Sequence, residues 1–356
     1  MQKDLKIFKN KRILITGHTG FKGSWLSLWF KNLGANVLGI SKNIPTKPSH
    51  FELINLENKM KSKFVDITNL KKLKKVFLNF KPDYVFHLAA QSLVKKSYKE
   101  PLLTYHSNAI GTQNIMECLK ELKNNCIAII ITSDKSYKNL EIKRGYKEDD
   151  MLGGVDPYSS SKASAELIIQ TYFKSYLVNK KNIRIGIARA GNVIGGGDWS
   201  EDRLIPDCMK SWAQNKKVLI RSPNSTRPWQ HVLDALYGYI KLSIYLKKNS
   251  KLNGQAFNFG PSLNSNYKVI DVLKLAKKFW NKVNWKIINK KKIFYESNLL
   301  KLNSSKTKKT LKWNCNLSFR ETVYFVTDWY KHFYLKKKNM YNFSIKQIDL
   351  YCQKIK

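Results

Sequence analysis

Short apolar runs alternate with longer amphipathic segments through the first 190 residues of the chain. The runs predict buried strands, and the amphipathic segments predict helices. The strands are expected at 12–16, 36–40, a third ending at 64–65, 84–87, 127–132 and 183–188, and the helices at 21–33, 69–79, 101–120 and 157–178. Because strands and helices take turns along the chain, we expect an α/β fold in which a doubly wound parallel sheet carries helices on both faces.

The regular alternation ends near Gly191. Four further amphipathic segments, at 202–213, 231–247, 266–280 and 319–334, are separated by irregular stretches that contain proline and asparagine. Such stretches are typical of loops between elements. We therefore predict a first domain over 1–190, a smaller mixed C-terminal region over 191–335 formed by excursions from the sheet, and a basic tail over 336–356.

The chain is strongly basic, with 65 Lys and Arg residues against 25 Asp and Glu residues and a net charge of +40. A chain this basic is a candidate for binding nucleic acid or an anionic membrane. However, 57 of the basic residues are lysines dispersed in short runs, a pattern more typical of a solvated surface. We therefore expect neither a nucleic-acid partner nor a membrane partner, and a non-catalytic nucleic-acid-binding protein is a remote alternative.

The five cysteines are scattered and never form a Cys-x-x-Cys pair, which argues against a disulfide framework and against a zinc site. The apolar runs all fall short of the ~18 residues that span a bilayer. We expect a cytoplasmic protein without a bound metal.

Three glycines, Gly17, Gly20 and Gly23, lie between the first predicted strand and the helix that follows it. Such a turn lets the backbone approach a pyrophosphate, which then lies at the helix N-terminus. The spacing therefore predicts a dinucleotide site. The acidic residue that usually binds the adenosine ribose is missing after the second strand, where Lys42 leaves NADP open beside NAD. Asp66, after the third strand, is a candidate contact for the adenine.

Tyr158 and Lys162 are four residues apart, and hence on one face at the start of a predicted helix. A neighbouring ammonium favours the phenolate by Coulomb attraction, so the pair can act as a base that deprotonates a hydroxyl. Ser133, Asp134 and Lys135 follow the fifth predicted strand, at the sheet edge where α/β proteins bind ligands. These five residues form the candidate catalytic group.

In these features the chain resembles the extended short-chain dehydrogenase/reductase family, and within it the nucleotide-sugar 4,6-dehydratases. The resemblance covers about residues 10–330, implies a Rossmann-type fold, and is strongest to the branch that acts on CDP-glucose. The motifs that carry it are Thr16-Gly-His-Thr-Gly-Phe-Lys-Gly-Ser-Trp25, Phe86-His-Leu-Ala-Ala-Gln91, Thr132-Ser-Asp-Lys135, Tyr158-Ser-Ser-Ser-Lys162, Arg189-Ala-Gly-Asn-Val-Ile-Gly195, Gly195-Gly-Gly-Asp-Trp199, Arg203-Leu-Ile-Pro206 and Arg227-Pro-Trp-Gln-His-Val232.

The resemblance implies a cofactor, NAD or alternatively NADP, and a nucleotide-diphosphate sugar, expected to be CDP-glucose. The expected cofactor contacts are Gly17, Gly20, Phe21, Lys22, Gly23, Asp66, Ile67, Leu88, Ala89, Ala90, Tyr158 and Lys162. The expected substrate contacts are Asn192, Arg203, Leu204, Ile205, Arg221, Arg227 and His231. Arginine suits a diphosphate because its planar fork binds two phosphate oxygens at once.

The resemblance also implies a redox-neutral reaction. Tyr158 would take the proton of the 4-hydroxyl while a hydride leaves carbon 4. Water would then be eliminated across carbons 5 and 6, with Asp134 as the acid and Lys135 as the base, and the hydride would return to carbon 6. A 4-epimerase of the same superfamily is the main alternative, because it needs Tyr158 and Lys162 but not Asp134 and Lys135.

A homodimer is expected as well. In the enzymes that this chain resembles, two helices pair across a dimer, and they correspond to 101–120 and 157–178 here. Tyr105, Ile115, Ile169 and Tyr172 are expected to supply apolar surface that a monomer would leave partly exposed.

Overall fold

A parallel sheet of seven strands forms the centre of the computed structural model, which describes residues 3–191, 193–265, 267–288, 300–336 and 339–355. We number these strands β1 to β7 along the chain: Arg12–Thr16, Asn36–Ser41, Lys61–Phe64, Tyr84–His87, Cys126–Ile131, Ile183–Ala190 and Ala256–Phe259. Their order across the sheet is β7-β6-β5-β4-β1-β2-β3, with every neighbouring pair parallel. The doubly wound parallel sheet predicted from the sequence is therefore confirmed, with β7 as an additional strand.

Helices cover both faces of the sheet and build the region after β6. In the described residues, α1 to α13 are Phe21–Asn32, His50–Leu53, Leu70–Phe80, Val94–Lys99, Pro101–Tyr105, Gly111–Glu121, Pro157–Tyr172, Leu204–Ala213, Val232–Lys248, Val269–Phe279, Ser305–Leu311, Phe319–Lys336 and Met340–Lys354. Single π-helical turns interrupt or extend two predicted helices, at His106–Ile110 between α5 and α6 and at Phe173–Leu177 after α7. Three short strand pairs lie after β6, namely Val193–Ile194 with Gln230–His231, Thr226–Arg227 with Tyr267–Lys268, and Val218–Ile220 with Trp285–Ile287.

The sheet separates two hydrophobic cores. Along β1, Ile13 and Ile15 point into the core beneath α1, α9 and α12, whereas Leu14 points into the core beneath α3, α6 and α7. Side chains of a strand alternate between the two faces, and both faces of this sheet are covered. This explains why the central strands are continuous apolar runs rather than alternating patterns.

Two residues that were expected to face a dimer partner belong to the second core instead. Ile115 and Ile169 are completely buried beneath the sheet, so that expectation was wrong. The period of a helix turns these positions towards the sheet, and other positions outwards. The exposed large apolar side chains of the same segments are Leu102, Leu103, Ile110, Leu167, Tyr176 and Val178.

The segment predicted as a basic tail contains a helix, α13, that docks against α1 and α12. A buried histidine connects them. The ring of His50 stacks on Trp25 of α1 with 4.4 Å between ring centroids, and its Nδ1 is 2.9 Å from Ser24 Oγ. Its Nε2 lies 3.2 Å from Ser344 Oγ of α13. The C-terminal helix is thereby joined to the helix that follows the glycine loop.

Among the described residues, none of the helices has the length and apolar composition needed to cross a bilayer.

His50 makes stability sensitive to acid. Burial lowers its pKa to about 3, whereas in the unfolded chain it is about 6.5. Between these values the unfolded chain binds a proton that the folded chain does not. The contribution of the neutral His50 ring to the free energy of unfolding is therefore complete above pH 6.5 and is lost as pH falls towards 3. From pH 7 to pH 5 the loss is about 2 kcal/mol.

Urea unfolding at the two pH values should show His50→Gln losing about 2 kcal/mol less than wild type. An equal loss in both proteins, or the same relief from His106→Gln at an exposed site, would contradict this.

Candidate active site

The glycine loop lies directly against the segment that follows β4. Gly17 has a φ of +74°, and a Cβ there would lie 2.8 Å from the amide nitrogen of Ala89. A Cβ on Gly23 would lie 2.0 Å from the carbonyl oxygen of Gly17. The structure thus brings together the loop and the 88–90 segment, both predicted to contact a cofactor. Because the N-cap residue of α1 is Gly20, which offers no side-chain cap, the first-turn N–H groups of the helix are available to a pyrophosphate.

A chain of hydrogen-bonded hydroxyl and imidazole groups anchors the 88–90 segment to the sheet. Sequence reasoning did not identify this chain of groups. Thr16 Oγ1 lies 2.7 Å from His87 Nδ1, and His87 Nε2 lies 3.1 Å from Thr112 Oγ1. The amide of Ala89 donates to Thr16 Oγ1. Burial lowers the pKa of His87 to about 3, so its ring is neutral. This contact ties β1, β4 and α6 beneath the predicted cofactor site.

At the other end of this site, Lys42 forms an ion pair with Asp66, with Nζ and Oδ2 3.0 Å apart. The other carboxylate oxygen accepts hydrogen bonds from the amide and hydroxyl of Thr68. Burial alone would raise the pKa of Asp66, but the hydrogen bonds from Thr68 and Lys42 lower it. The side chain of Ile67 is buried against Gly111. Lys42 is therefore engaged by a carboxylate at the position where it had been considered for a 2′-phosphate.

The helix that carries the Tyr158–Lys162 pair begins at a well-defined cap. Asp156 accepts a hydrogen bond from the amide of Ser159, and Pro157 occupies the first turn, where its missing N–H has no cost. Tyr158 and Lys162 are both buried, and Lys162 Nζ lies 3.4 Å from the carbonyl oxygen of Ile131 at the end of β5. Burial lowers the pKa of Lys162 to about 8, against the attraction of Glu166.

The phenol of Tyr158 lies beside the loop that follows β5. Burial raises its pKa to about 12, a hydrogen bond with Ser133 acts in the opposite direction, and the charge of Asp134 raises it further. Ser133 caps the turn by accepting from the amide of Lys135, and its hydroxyl donates to Asp134 Oδ1 at 2.9 Å. Burial also raises the pKa of Asp134, although Lys135 and Ser133 act to lower it. The structure thus brings the five predicted catalytic residues together.

Glu166 and Arg189 form a buried ion pair behind this loop, which sequence reasoning did not identify. The guanidinium Nε lies 2.9 Å from both carboxylate oxygens, and Arg189 also donates to the hydroxyl of Tyr137. Glu166 accepts from the hydroxyls of Thr132 and Ser136 at 2.6 and 3.0 Å. Because Thr132 and Ser136 flank Ser133, Asp134 and Lys135, the pair fixes the catalytic loop at both ends.

Asn108 is a second residue that sequence reasoning missed. It lies in the π-helical turn between α5 and α6, and its Nδ2 donates to the carbonyl of Gln91 and to the hydroxyl of Ser161. Its Oδ1 accepts from the amide of Gln91. It therefore joins the loop after β4 to α7 between Tyr158 and Lys162.

The predicted substrate residues have different surroundings. Arg203 forms an ion pair with Asp198 at 3.0 Å, Arg221 is exposed, and Arg227 donates to the carbonyl of Thr226. His231 is fully buried, and its Nδ1 accepts from the amide of Leu233 at the start of α9. Burial lowers its pKa to about 3.

Leu204 and Ile205 form the first turn of α8, half-buried and buried, respectively, and Asn192 lies outside the described residues. A cleft lies between Asp134 of the catalytic loop and residues after β6. Its lining residues are Asp134, Gly191, Pro228, Gly260, Pro261, Ser262, Leu263, Ser265, Lys301 and Leu302.

Removal of one partner of the buried ion pair should strongly destabilise the fold. Glu166→Ala leaves the Arg189 guanidinium without its carboxylate, and such a loss costs about 3–5 kcal/mol. Urea unfolding of the variant measures this decrease. Glu121→Ala is the control, because it removes the same group from an exposed pair with Lys74 and should leave the midpoint nearly unchanged. Equal effects of the two substitutions would contradict the role given to Glu166.

Comparison with known proteins supports the family suggested by these residues. The model of the GDP-mannose 4,6 dehydratase family matches residues 14–325. A CDP-glucose 4,6-dehydratase from Salmonella typhimurium is 41% identical over 92% of this chain and 92% of its own length. A UDP-glucose 4-epimerase from Mycoplasma pneumoniae is 25% identical over 73% of this chain and 80% of its own length. An epimerase structure from Methanothermobacter thermautotrophicus has the same fold, with a TM-score of 0.79 at 22% identity over 94% of this chain and 97% of that one. The chain belongs to the GDP-mannose 4,6 dehydratase family, within the extended short-chain dehydrogenases/reductases.

Proposed function

We propose that this protein is a CDP-glucose 4,6-dehydratase that uses NAD. The observation that carries the proposal is the position of Asp134 and Lys135, an acid and a base, on the loop that also contacts Tyr158. The 41% identity to a CDP-glucose 4,6-dehydratase over nearly the whole chain supports the choice of substrate. The reaction oxidises carbon 4, eliminates water across carbons 5 and 6 and reduces carbon 6, so its only net change is the loss of one water.

The residues of the glycine loop and the Lys42–Asp66 pair fit a dinucleotide. First-turn amides of α1 would hold the pyrophosphate, and Asp66 lies where the adenosine would end. The engagement of Lys42 by Asp66 favours NAD over NADP, because it neutralises the cation that a 2′-phosphate would need. When bound, NAD would supply the hydride chemistry of the reaction, as the acceptor for carbon 4 and the donor for carbon 6.

Tyr158 is the base for the first step. Since burial raises its pKa, the phenol needs nearby positive charge to ionise. Arg203 is one source, because its charge lowers the pKa of Tyr158. Lys162, on the same helix face, is a second source, with its amine 3.4 Å from the carbonyl oxygen of Ile131 at the end of β5. The phenolate then takes the 4-hydroxyl proton as the hydride leaves carbon 4.

Asp134 and Lys135 serve the elimination. The buried surroundings of Asp134 favour its protonated form, which can donate a proton to the departing 6-hydroxyl. Lys135, in its neutral amine form, takes the proton from carbon 5, which the neighbouring ketone has made acidic. A 4-epimerase would not use this acid and base, so the same arrangement disfavours that alternative.

We also propose that the enzyme works in the cytoplasm as a homodimer. The exposed residues Leu102, Leu167 and Tyr176 lie on α5, α7 and the turn after α7, the two segments expected to pair. Their exposure leaves apolar surface that a second copy would cover.

The decisive experiment for the function is incubation of the purified protein with CDP-, UDP-, dTDP- and GDP-glucose. CDP-glucose should give a product lighter by one water, measured by mass spectrometry. An unchanged mass with every substrate would refute dehydration. A product of equal mass but altered chromatographic behaviour would support the epimerase.

Lys135→Ala should separate elimination from oxidation. Turnover should fall ~10²–10⁴-fold, as is typical when a general base is lost, while oxidation at carbon 4 continues. Reduced cofactor should therefore accumulate on the enzyme and be visible by absorbance, whereas Tyr158→Phe should abolish the absorbance change. Lys138→Ala, at an exposed lysine three residues further on, should behave as wild type. If Lys135→Ala prevents cofactor reduction as completely as Tyr158→Phe does, Lys135 acts before the elimination.

Leu167→Asp should convert the dimer to a monomer, because a carboxylate in an apolar interface must be buried without a partner. Light scattering at micromolar concentration measures the mass. Leu350→Asp, at an exposed leucine of α13, should leave the dimer intact. A monomeric wild type would show that the proposed assembly is wrong.

A further inference from the structure

The side chain of Lys22 reaches out of the cofactor loop and into the substrate side of the site. Its Nζ lies 3.4 Å from the hydroxyl of Tyr239, which belongs to α9 in the region after β6. The charged groups that act on this ammonium are Arg203, Asp134, Lys162 and Asp198. Lys22 had been expected only at the cofactor pyrophosphate, yet its ammonium is surrounded by catalytic residues and by the ion pair of the predicted nucleotide-sugar site.

The charges around Lys22 are not balanced. Burial lowers its pKa to about 8, and the positive charge of Arg203 acts in the same direction. Within the described part of the chain, none of the ion pairs includes Lys22, and the carboxylate of Asp198 is already engaged by Arg203. The buried Asp134 has a raised pKa, which reduces its negative charge. A desolvated cluster of cations with too few carboxylates is suited to an anion.

We propose that Lys22 binds the sugar-proximal phosphate of the nucleotide sugar and so positions the hexose over the catalytic loop. The inference rests on the proposed function. The cofactor pyrophosphate has its own donors in the first-turn amides of α1, whereas the ammonium of Lys22 is directed to Tyr239 and lies near Arg203. Both of these belong to the region after β6. Tyr239 remains protonated, since burial and the nearby Tyr158 and Asp134 raise its pKa, so its hydroxyl can donate to the same phosphate.

The test uses calorimetric titration of NAD-loaded wild type, Lys22→Met and Lys22→Gln with CDP and CMP. Both variants should bind CDP about 10- to 100-fold more weakly, the usual effect of losing a charge-assisted hydrogen bond. Their affinity for CMP, which lacks the second phosphate, should not change. Lys31→Met is the control, since it removes a lysine from the last turn of the same helix. Retained NAD, released with acid and measured, should be equal in all four proteins.

Each other result has a defined meaning. Equal weakening of CDP and CMP, or no weakening of either, overturns the proposal. Loss of NAD with unchanged CDP affinity assigns Lys22 to the cofactor and also overturns it. If the wild type binds UDP, dTDP or GDP in place of CDP, the proposed substrate is wrong. The diphosphate and monophosphate of that base then test Lys22 in the same way. Wild type that binds no nucleoside diphosphate overturns both proposals.

Discussion

The buried pair of Glu166 and Arg189 is the interaction on which the geometry of the active site depends. Glu166 follows Tyr158 and Lys162 at intervals of four residues on α7, so the three side chains share one face of the helix. By binding Arg189 of β6, Glu166 fixes that face against the sheet. Neither charge can leave its partner without remaining unpaired in the protein interior, which is strongly unfavourable. The catalytic helix therefore has a defined rotation as well as a defined position.

The Glu166–Arg189 pair also constrains the catalytic loop after β5 and the region after β6. Glu166 accepts hydrogen bonds from both ends of the catalytic turn, and Arg189 donates to Tyr137. The hydroxyl of Tyr137 in turn donates to Asn258 of β7, 2.8 Å away. A single network thus links the helix with the base, the loop with the acid, and the last strand of the sheet. This network keeps the polar groups of the site buried and away from water. Burial lowers the pKa of Lys162 and raises that of Asp134.

The parts of this structure that could be predicted from the sequence are those with a local cause. Five of the six predicted strands are largely apolar runs because both faces of the sheet are covered there, whereas β3, at the sheet edge, is mostly exposed. The loop glycines and the Tyr158–Lys162 pair have fixed spacings. By contrast, β7 is four residues long, and α13 carries polar residues among its buried ones, so neither has a strong pattern. Glu166, Asn108 and Thr16 act through residues distant in sequence, and a single sequence carries no local signal for such contacts. The error at Ile115 and Ile169 has the same origin, since the sequence shows an apolar face but not which surface covers it.

Arginine usage shows how a compositional clue needs the structure to interpret it. In a chain with 57 lysines and eight arginines, three of the arginines, Arg203, Arg221 and Arg227, were expected to contact the substrate diphosphate. Several have a different role: Arg12 binds Asp83, and Arg144 binds Asp150 through two guanidinium nitrogens. Arg184 donates to two carbonyls at the end of α9. The contacts of Arg12 and Arg144 use the planar fork, which a lysine cannot replace. Arginine in this chain therefore occurs where the direction of its hydrogen bonds matters, and a ligand site is one such place. Arg203, the N-cap residue of α8, binds Asp198 through one guanidinium nitrogen at 3.0 Å, and its charge acts on Lys22. The lysines, by contrast, supply charge where orientation matters less, and the ammonium of Lys22 adds to the surplus of positive charge in the site.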